Sequence, residues 1–183
     1  MVPEPVVRPV LVVIGGLPAS GKSTLAEALA RETATPYVRV DRIEQAIVDW
    51  TALTHPVGPV GYAVAHRLAA EQLRLGLDVV VECVNPVAVT RDAWPGTAEQ
   101  AGAALVEVEV VCSDAAEHRR RVEQRPTDVE GLVKPSWAEV LGREYEPWTR
   151  ERVVVDTATT AVAAAVRRVV AARETARTSS STA

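Results

Sequence analysis

The chain has no phenylalanine, two cysteines, three histidines and, among twenty basic residues, only the lysines Lys22 and Lys134. Without Phe, and with four tryptophans and three tyrosines, the core must be built mainly from Val, Leu, Ile and Ala. Cys83 and Cys112 lie far apart and form no CxxC pair, so a disulfide framework is not expected and the thiols read as reduced. The histidines show no metal-ligand spacing, which argues against a zinc site. No apolar run approaches the roughly 18 residues that a membrane span requires. Residues 1–9 carry prolines where a signal peptide needs a continuous apolar stretch, so the expected location is the cytoplasm. Twenty basic side chains face 24 acidic ones, a net charge of −4 that gives no long-range attraction to nucleic acid or an anionic membrane.

What is present suffices for one domain. Hydrophobic residues make up 48% of 183, enough for a sizeable core. Apolar, β-rich runs alternate with stretches of helical period. Strands are expected at 10–14, 37–40, 79–81, 105–111 and 153–155. Helices are expected at 22–33, 43–50, from 60 onward, from the cap Asp114 through an arginine-rich stretch, from Ser136 toward Tyr145, and at 160–173. Thr97-x-x-Gln100 and Ser136-x-x-Glu139 have the form of capping boxes. Residues 51–59 and 124–135 are rich in Pro, Gly and polar residues and read as loops, the second a mobile one. Residues 174–183 show no apolar face and are expected to be disordered beyond a single domain at 1–173. No internal repeat is visible. Strands alternating with helices predict a three-layer α/β fold with a parallel sheet, in which ligands bind at the carboxyl edge of the strands. Gly15, Asp41, Glu82, Cys112 and Asp156 would emerge at that edge.

Residues 16–23, Gly-Leu-Pro-Ala-Ser-Gly-Lys-Ser, match GxxxxGK[ST] in full. Glycines let the backbone curl so that successive N–H groups point at a phosphate, and the following helix presents its positive end. In this pattern Lys22 reaches the β- and γ-phosphates and the Ser23 hydroxyl ligates Mg²⁺. Gly16, Ala19, Ser20, Gly21, Lys22, Ser23 and Thr24 are therefore the expected nucleotide contacts. Asp41, at the end of Tyr-Val-Arg-Val, can orient an acceptor hydroxyl and take its proton, or simply cap the helix that follows. Glu82 closes the VVV strand where a Walker-B carboxylate would hold the metal, although pairing with an arginine would also explain it. Arg121 and Arg125 share one helical face, either as lid residues that offset charge on a transferred group or as part of a solvated face with Glu117 and Glu123.

Other candidates are weaker. Arg91 has a cleft-facing reading, whereas Asp92 reads as surface. His55 sits in a loop that would border an acceptor site. His66 reads as a helix-face residue and His118 as exposed. Trp50, Tyr62, Trp94, Trp137, Tyr145 and Trp148 read mainly as packing residues.

Together GLPASGKST, the strand-end Asp41, Arg121-x-x-x-Arg125 and REYEPW at 143–148 resemble the small P-loop kinases. The resemblance is to those of the polynucleotide kinase, gluconate kinase and chloramphenicol phosphotransferase type, chains often labelled AAA family ATPases. It implies a five-stranded sheet ordered 2-3-1-4-5, a helical lid at about 117–137, ATP and Mg²⁺ as cofactors, and a small-molecule hydroxyl acceptor. It also implies that adenine lies near Arg121 and the 156–158 loop, with Asp156 and Thr157 as contacts. Polynucleotide kinases of this type carry D-x-x-R after the second strand, whereas this chain has Asp41-x-x-Glu44. An acid there disfavours a phosphorylated or nucleic-acid acceptor and favours a neutral hydroxyl compound. The expected activity is ATP-dependent phosphoryl transfer. A nucleotide switch without an acceptor, or a nucleoside or polynucleotide 5′-kinase, stands as the alternative.

Overall fold

The computed structural model describes residues 7–126 and 129–179. Five strands, β1 (Val10–Gly15), β2 (Tyr37–Arg39), β3 (Val79–Glu82), β4 (Ala104–Val111) and β5 (Val153–Asp156), form one parallel sheet. Their order is β2-β3-β1-β4-β5, the predicted one. Around it lie α1 (Lys22–Thr33), α2 (Val40–Trp50), α3 (Val60–Arg74), α4 (Ala88–Gln100), α5 (Ala115–Gln124), α6 (Trp137–Leu141) and α7 (Val162–Thr178).

The central strand shows why VLVVI is apolar throughout. Side chains alternate across a strand, so Val10, Val12 and Ile14 enter the layer packed by α1 and α7. Leu11 and Val13 enter the opposite layer, with Ala65, Ala69 and Leu73 of α3 and Trp94 of α4. Both layers are built from Val, Leu, Ile and Ala, and Trp94 is the one large aromatic in the fully buried set. Strand β4 alternates differently. Val106, Val108 and Val110 join the α1/α7 layer, while Glu107 and Glu109 are buried and neutralised by Arg150 and Arg152, each at 2.6 Å. A buried carboxylate is tolerable only when paired in this way.

Several local expectations change. Thr97 lies in the last turn of α4 and caps nothing; its hydroxyl contacts Ala93 O (3.2 Å) and His66 Nδ1 (2.8 Å). The Asp114 cap and the Ser136–Glu139 capping box both form, but α6 ends at Leu141, short of Tyr145. Asp41 is not the α2 cap. Arg39 is held extended by its register with Glu82 and takes that place, which puts Asp41 in the first helical turn. The expected disorder from 174 is also corrected: α7 continues to Thr178. Ala176 packs on the core, and Arg177 bonds Arg8 O (2.9 Å) and Asp78 Oδ2 (2.6 Å). Residues 180–183, and residues 127 and 128 of the expected mobile loop, lie outside the described residues.

Asp78 accepts from the Val10 amide (2.8 Å) and from Arg177, so it ties the start of β1 to the end of α7. Asp78→Ala is expected to cost about 2 kcal/mol by stranding these donors, which lowers Tm by roughly 4–8 °C in a domain of this size. Truncation after Arg173 should lower Tm in the same direction. Thermal unfolding of both variants checks this, and an unchanged Tm on truncation would mean that the end of α7 contributes nothing.

Candidate active site

The loop between β1 and α1 forms the base of the site. Gly16 has φ 148°, and a Cβ there would stand 2.2 Å from Val110 O, so only glycine fits. Gly21, at φ 102°, is the N-cap of α1, and Ala19 also adopts positive φ (62°). The loop therefore curls as the motif requires and leaves the α1 N-terminus without a side-chain cap. Ser20 Oγ is buried with no hydrogen-bond partner among the described residues. Lys22 is buried, with Nζ on Leu17 O at 3.0 Å. Burial pushes its ammonium below the ordinary value, and the Glu82 and Asp41 carboxylates oppose that shift. Unsatisfied donors, a glycine cradle and a desolvated cation form the chemistry that fits a phosphate chain.

Two cavities meet here. The first, about 370 Å³, is lined by Ala19, Gly21, Lys22, Ser23, Thr24 and Leu25, and closed by Arg121, Arg125, Pro126, Thr157 and Thr160. The second, about 270 Å³, is lined by Asp41, Glu44, Tyr62, Glu82, Thr90 and Arg143 beneath Leu132, Val133 and Pro135. Lys22, Ser23 and Arg125 line both. Ala19, Gly21 and Thr24 of the phosphate loop thus line the first cavity and Asp41 the second, with Lys22 and Ser23 in both.

Glu82 stands at the junction, buried at the end of β3. It accepts from Ser23 Oγ (2.7 Å) and from the Tyr37 hydroxyl, and faces Arg39 Nε at 3.7 Å. The two readings of Glu82, metal neighbour and arginine partner, are therefore compatible. Arg39 Nη2 also lies 3.8 Å from Asp41 Oδ2. Burial, then the Glu82 carboxylate, pushes the Tyr37 phenol well above its usual range. Among the described residues no group of three or more His, Cys, Asp or Glu side chains could hold a metal ion. Ser23 and Glu82 offer two oxygens, which suits Mg²⁺, an ion that keeps several waters and leans on substrate phosphates.

The lid helix α5 is moored to the loop. His118, expected to be exposed, is buried with Nε2 2.8 Å from Pro18 O, and its ring meets Trp137 edge-on. Val122, one turn on, packs with Ala19 and Val140. That spacing of 118 and 122 was the signal in the sequence, masked by the surrounding arginines. Arg121 lines the first cavity and bonds Glu117 (2.7 Å) and Thr157 Oγ1 (2.7 Å). Thr157 Oγ1 in turn donates to Ser20 O (2.6 Å). The Glu117 carboxyl, bonded by Arg120 and Arg121, falls to about 2.

Some candidates stand outside the cavities. Gly16 and Ser20 shape the loop from behind. Asp156 accepts from Ser113 N and Ala158 N, both at 3.0 Å, and from Ser113 Oγ, bonds that hold its carboxyl below the ordinary value. It orders the loop that presents Thr157 and does not line the cavity. Arg91 is buried away from the cleft and bonds the carbonyls of Asn85 (2.9 Å), Pro86 (2.7 Å), Glu146 (2.6 Å) and Pro147 (3.1 Å). Its guanidinium lies 4.5 Å from the Trp148 ring centroid. REYEPW therefore serves as the pad against which Arg91 sets the 85–86 turn. Asp92 is exposed and pairs with Arg150 at 2.6 Å. His55 Nε2 contacts Gln45 Oε1 (3.2 Å) and lines neither cavity. Arg39, Thr90 and Arg143 were not anticipated as site residues, whereas Glu44 stood out in the sequence as the acid of Asp41-x-x-Glu44.

The sheet order and the phosphate loop define a P-loop NTPase fold. The chain matches the AAA domain family over residues 11–147 and belongs to it. No curated protein matches it in sequence. Among solved structures it resembles a protein from Chloroflexus aurantiacus (20% identity, 89% of this chain and 97% of that one, TM-score 0.73). It also resembles the APS kinase of Mycobacterium tuberculosis in complex with AMPPNP and APS (19%, 91% and 98%, TM-score 0.66). A third likeness is to a gluconokinase from Sinorhizobium meliloti (23%, 91% and 92%, TM-score 0.59). At these identities the likeness is one of fold. Among the described residues no helix is long and apolar enough to cross a membrane.

Glu44 gives a pH prediction. Burial, followed by the neighbouring Asp41 carboxylate, raises its carboxyl from 4.5 to about 7. Between those values the folded chain holds a proton that the unfolded chain releases, so ionising Glu44 costs stability as pH rises through this window. Glu44→Gln removes that cost. Its Tm relative to wild type should climb from pH 4.5 to 7.5 and level off above; a difference flat with pH contradicts the assignment.

Proposed function

We propose that this protein is an ATP-dependent phosphotransferase acting on a hydroxyl of a small molecule. One observation carries the reading: two cavities, one floored by the phosphate loop and one walled by Asp41, meet at Lys22 and Ser23. ATP with Mg²⁺ supplies the activated phosphoryl group and charge neutralisation on its oxygens. The loop amides and Lys22 would hold the phosphates, with Ser23 and Glu82 at the metal. Thr157 and Thr160, across the first cavity, would border the nucleoside.

The remaining work falls to the chain's own groups. Asp41 receives the acceptor hydroxyl, turns its oxygen toward the junction and takes its proton as the new bond forms. Arg125 faces both cavities and offsets charge developing between them. Arg121, held by Glu117 and Thr157, supports the donor side. The roof of Leu132, Val133 and Pro135 limits water around the transfer. A cavity of about 270 Å³ suits a small acceptor, and the net charge of −4 disfavours a nucleic acid. A cytoplasmic, ATP-rich setting agrees with this reading.

The test is ADP release measured against a panel of hydroxyl compounds, which should be nearly silent with water and strongly stimulated by an acceptor. Saturable ATP turnover that no acceptor alters would support a nucleotide switch instead. Lys22→Ala should lower kcat/KM by about 10²-fold or more, as loss of a charge donor to the transition state does. Asp41→Asn should lower kcat by about 10²–10⁴-fold while ATP still binds by calorimetry. An unchanged kcat would remove Asp41 as the base.

A further inference from the structure

The wall of the second cavity carries a carboxylate that the transfer itself does not use. Glu44 follows Asp41 by three residues on α2, so the two side chains share one helical face. Both line the cavity. Among the described residues Glu44 has no hydrogen bond and no ion pair. Its position depends on Gly61 of α3: a Cβ there would stand 2.3 Å from Glu44 Cγ and 2.9 Å from Oε1. The close approach of α3 to Glu44 thus requires a glycine, and Tyr62, the next residue, lines the same cavity.

The other charges of the cavity are largely committed. Glu82 is engaged by Ser23, Tyr37 and Arg39, and Arg39 also faces Asp41. Lys22 and Arg125 belong to the junction with the phosphate side. Arg143, exposed on the rim, lowers the Glu44 carboxyl, an influence smaller than those of burial and of Asp41, which raise it. Of the seven charged side chains that line the cavity (Lys22, Arg39, Arg125, Arg143, Asp41, Glu44 and Glu82), Glu44 is the one acid with no ion pair among the described residues.

We propose that Glu44 determines acceptor specificity, selecting a molecule that carries a protonated amine beside the hydroxyl received by Asp41. This rests on the phosphotransferase reading and replaces the neutral acceptor expected from the sequence. Residues three apart on a helix hold their Cβ atoms about 5–6 Å from each other, a span that suits an amino alcohol such as an amino sugar or aminocyclitol. The ammonium would give the ionised Glu44 a charge-assisted hydrogen bond, whereas a neutral analogue offers it no ionic partner.

Matched acceptors test this by ADP release: glucosamine, glucose and glucose 6-phosphate; serinol, glycerol and glycerol 3-phosphate; 2-deoxystreptamine and inositol. The amine of at least one set should exceed its neutral partner in kcat/KM by about tenfold or more, the size expected when a site's polar group is left unpaired. Glu44→Gln should erase that preference mainly through KM for the amine, with KM for ATP within about twofold. Arg143→Ala should preserve or increase the preference. A neutral or phosphorylated member that equals or exceeds its amine in every set, or a preference that survives Glu44→Gln, overturns the proposal and leaves the phosphotransferase reading standing. Stimulation by no acceptor of any charge overturns both.

Discussion

Glu82 is the buried carboxylate on which the arrangement of this site depends. A charge at the end of a buried strand is tolerated only with hydrogen-bonding partners close at hand. Ser23 from α1 and Tyr37 from β2 donate hydrogen bonds to it, and Arg39 of β2 faces it as a counter-charge at 3.7 Å. Those contacts join the helix that follows the phosphate loop to the edge strand that leads to Asp41. The same carboxylate therefore fixes Ser23 on one side and, through Arg39, lies near Asp41 on the other. Residues of the two cavities share one buried anchor.

The phosphate side is fixed a second time from above. His118 against Pro18, and Val122 against Ala19, bind the lid helix to the loop it would cover. Thr157 joins Arg121 to the Ser20 carbonyl. Helix α5 is thus part of the loop's own packing. On the acceptor side, Arg91 performs the equivalent task by gathering four carbonyls at the 85–86 turn and the 146–147 segment.

Legibility in the sequence followed the range of the interactions. The phosphate loop and α1 could be read closely, because glycines, lysine, serine and helix lie within one short stretch. The unbroken apolar run of VLVVI and the alternation of LVEVEVV gave the strands, since burial on two faces or one writes itself into adjacent residues. The sheet order came from family resemblance and is the order observed. The errors share a different origin. The end of α7 looked like a tail because its stabilising partner, Asp78, lies 99 residues away. His118 looked exposed among arginines because its acceptor is 100 residues distant. Arg91 and Asp156 carried plausible charges for a cleft, yet their partners are backbone groups that no spacing rule announces. Asp41 lost its capping role because the strand ends at Arg39 and α2 already begins at Val40, which carries Asp41 into the first helical turn.

The account turns on a division of labour between two cavities that meet at Lys22 and Ser23. Amide chemical-shift mapping with AMPPNP and Mg²⁺ tests this directly. The account predicts shifts at residues 16–24, 121–126 and 157–160, with little change at Asp41, Glu44 and Tyr62. Perturbation centred on the second group, or spread without regard to the phosphate loop, would contradict it.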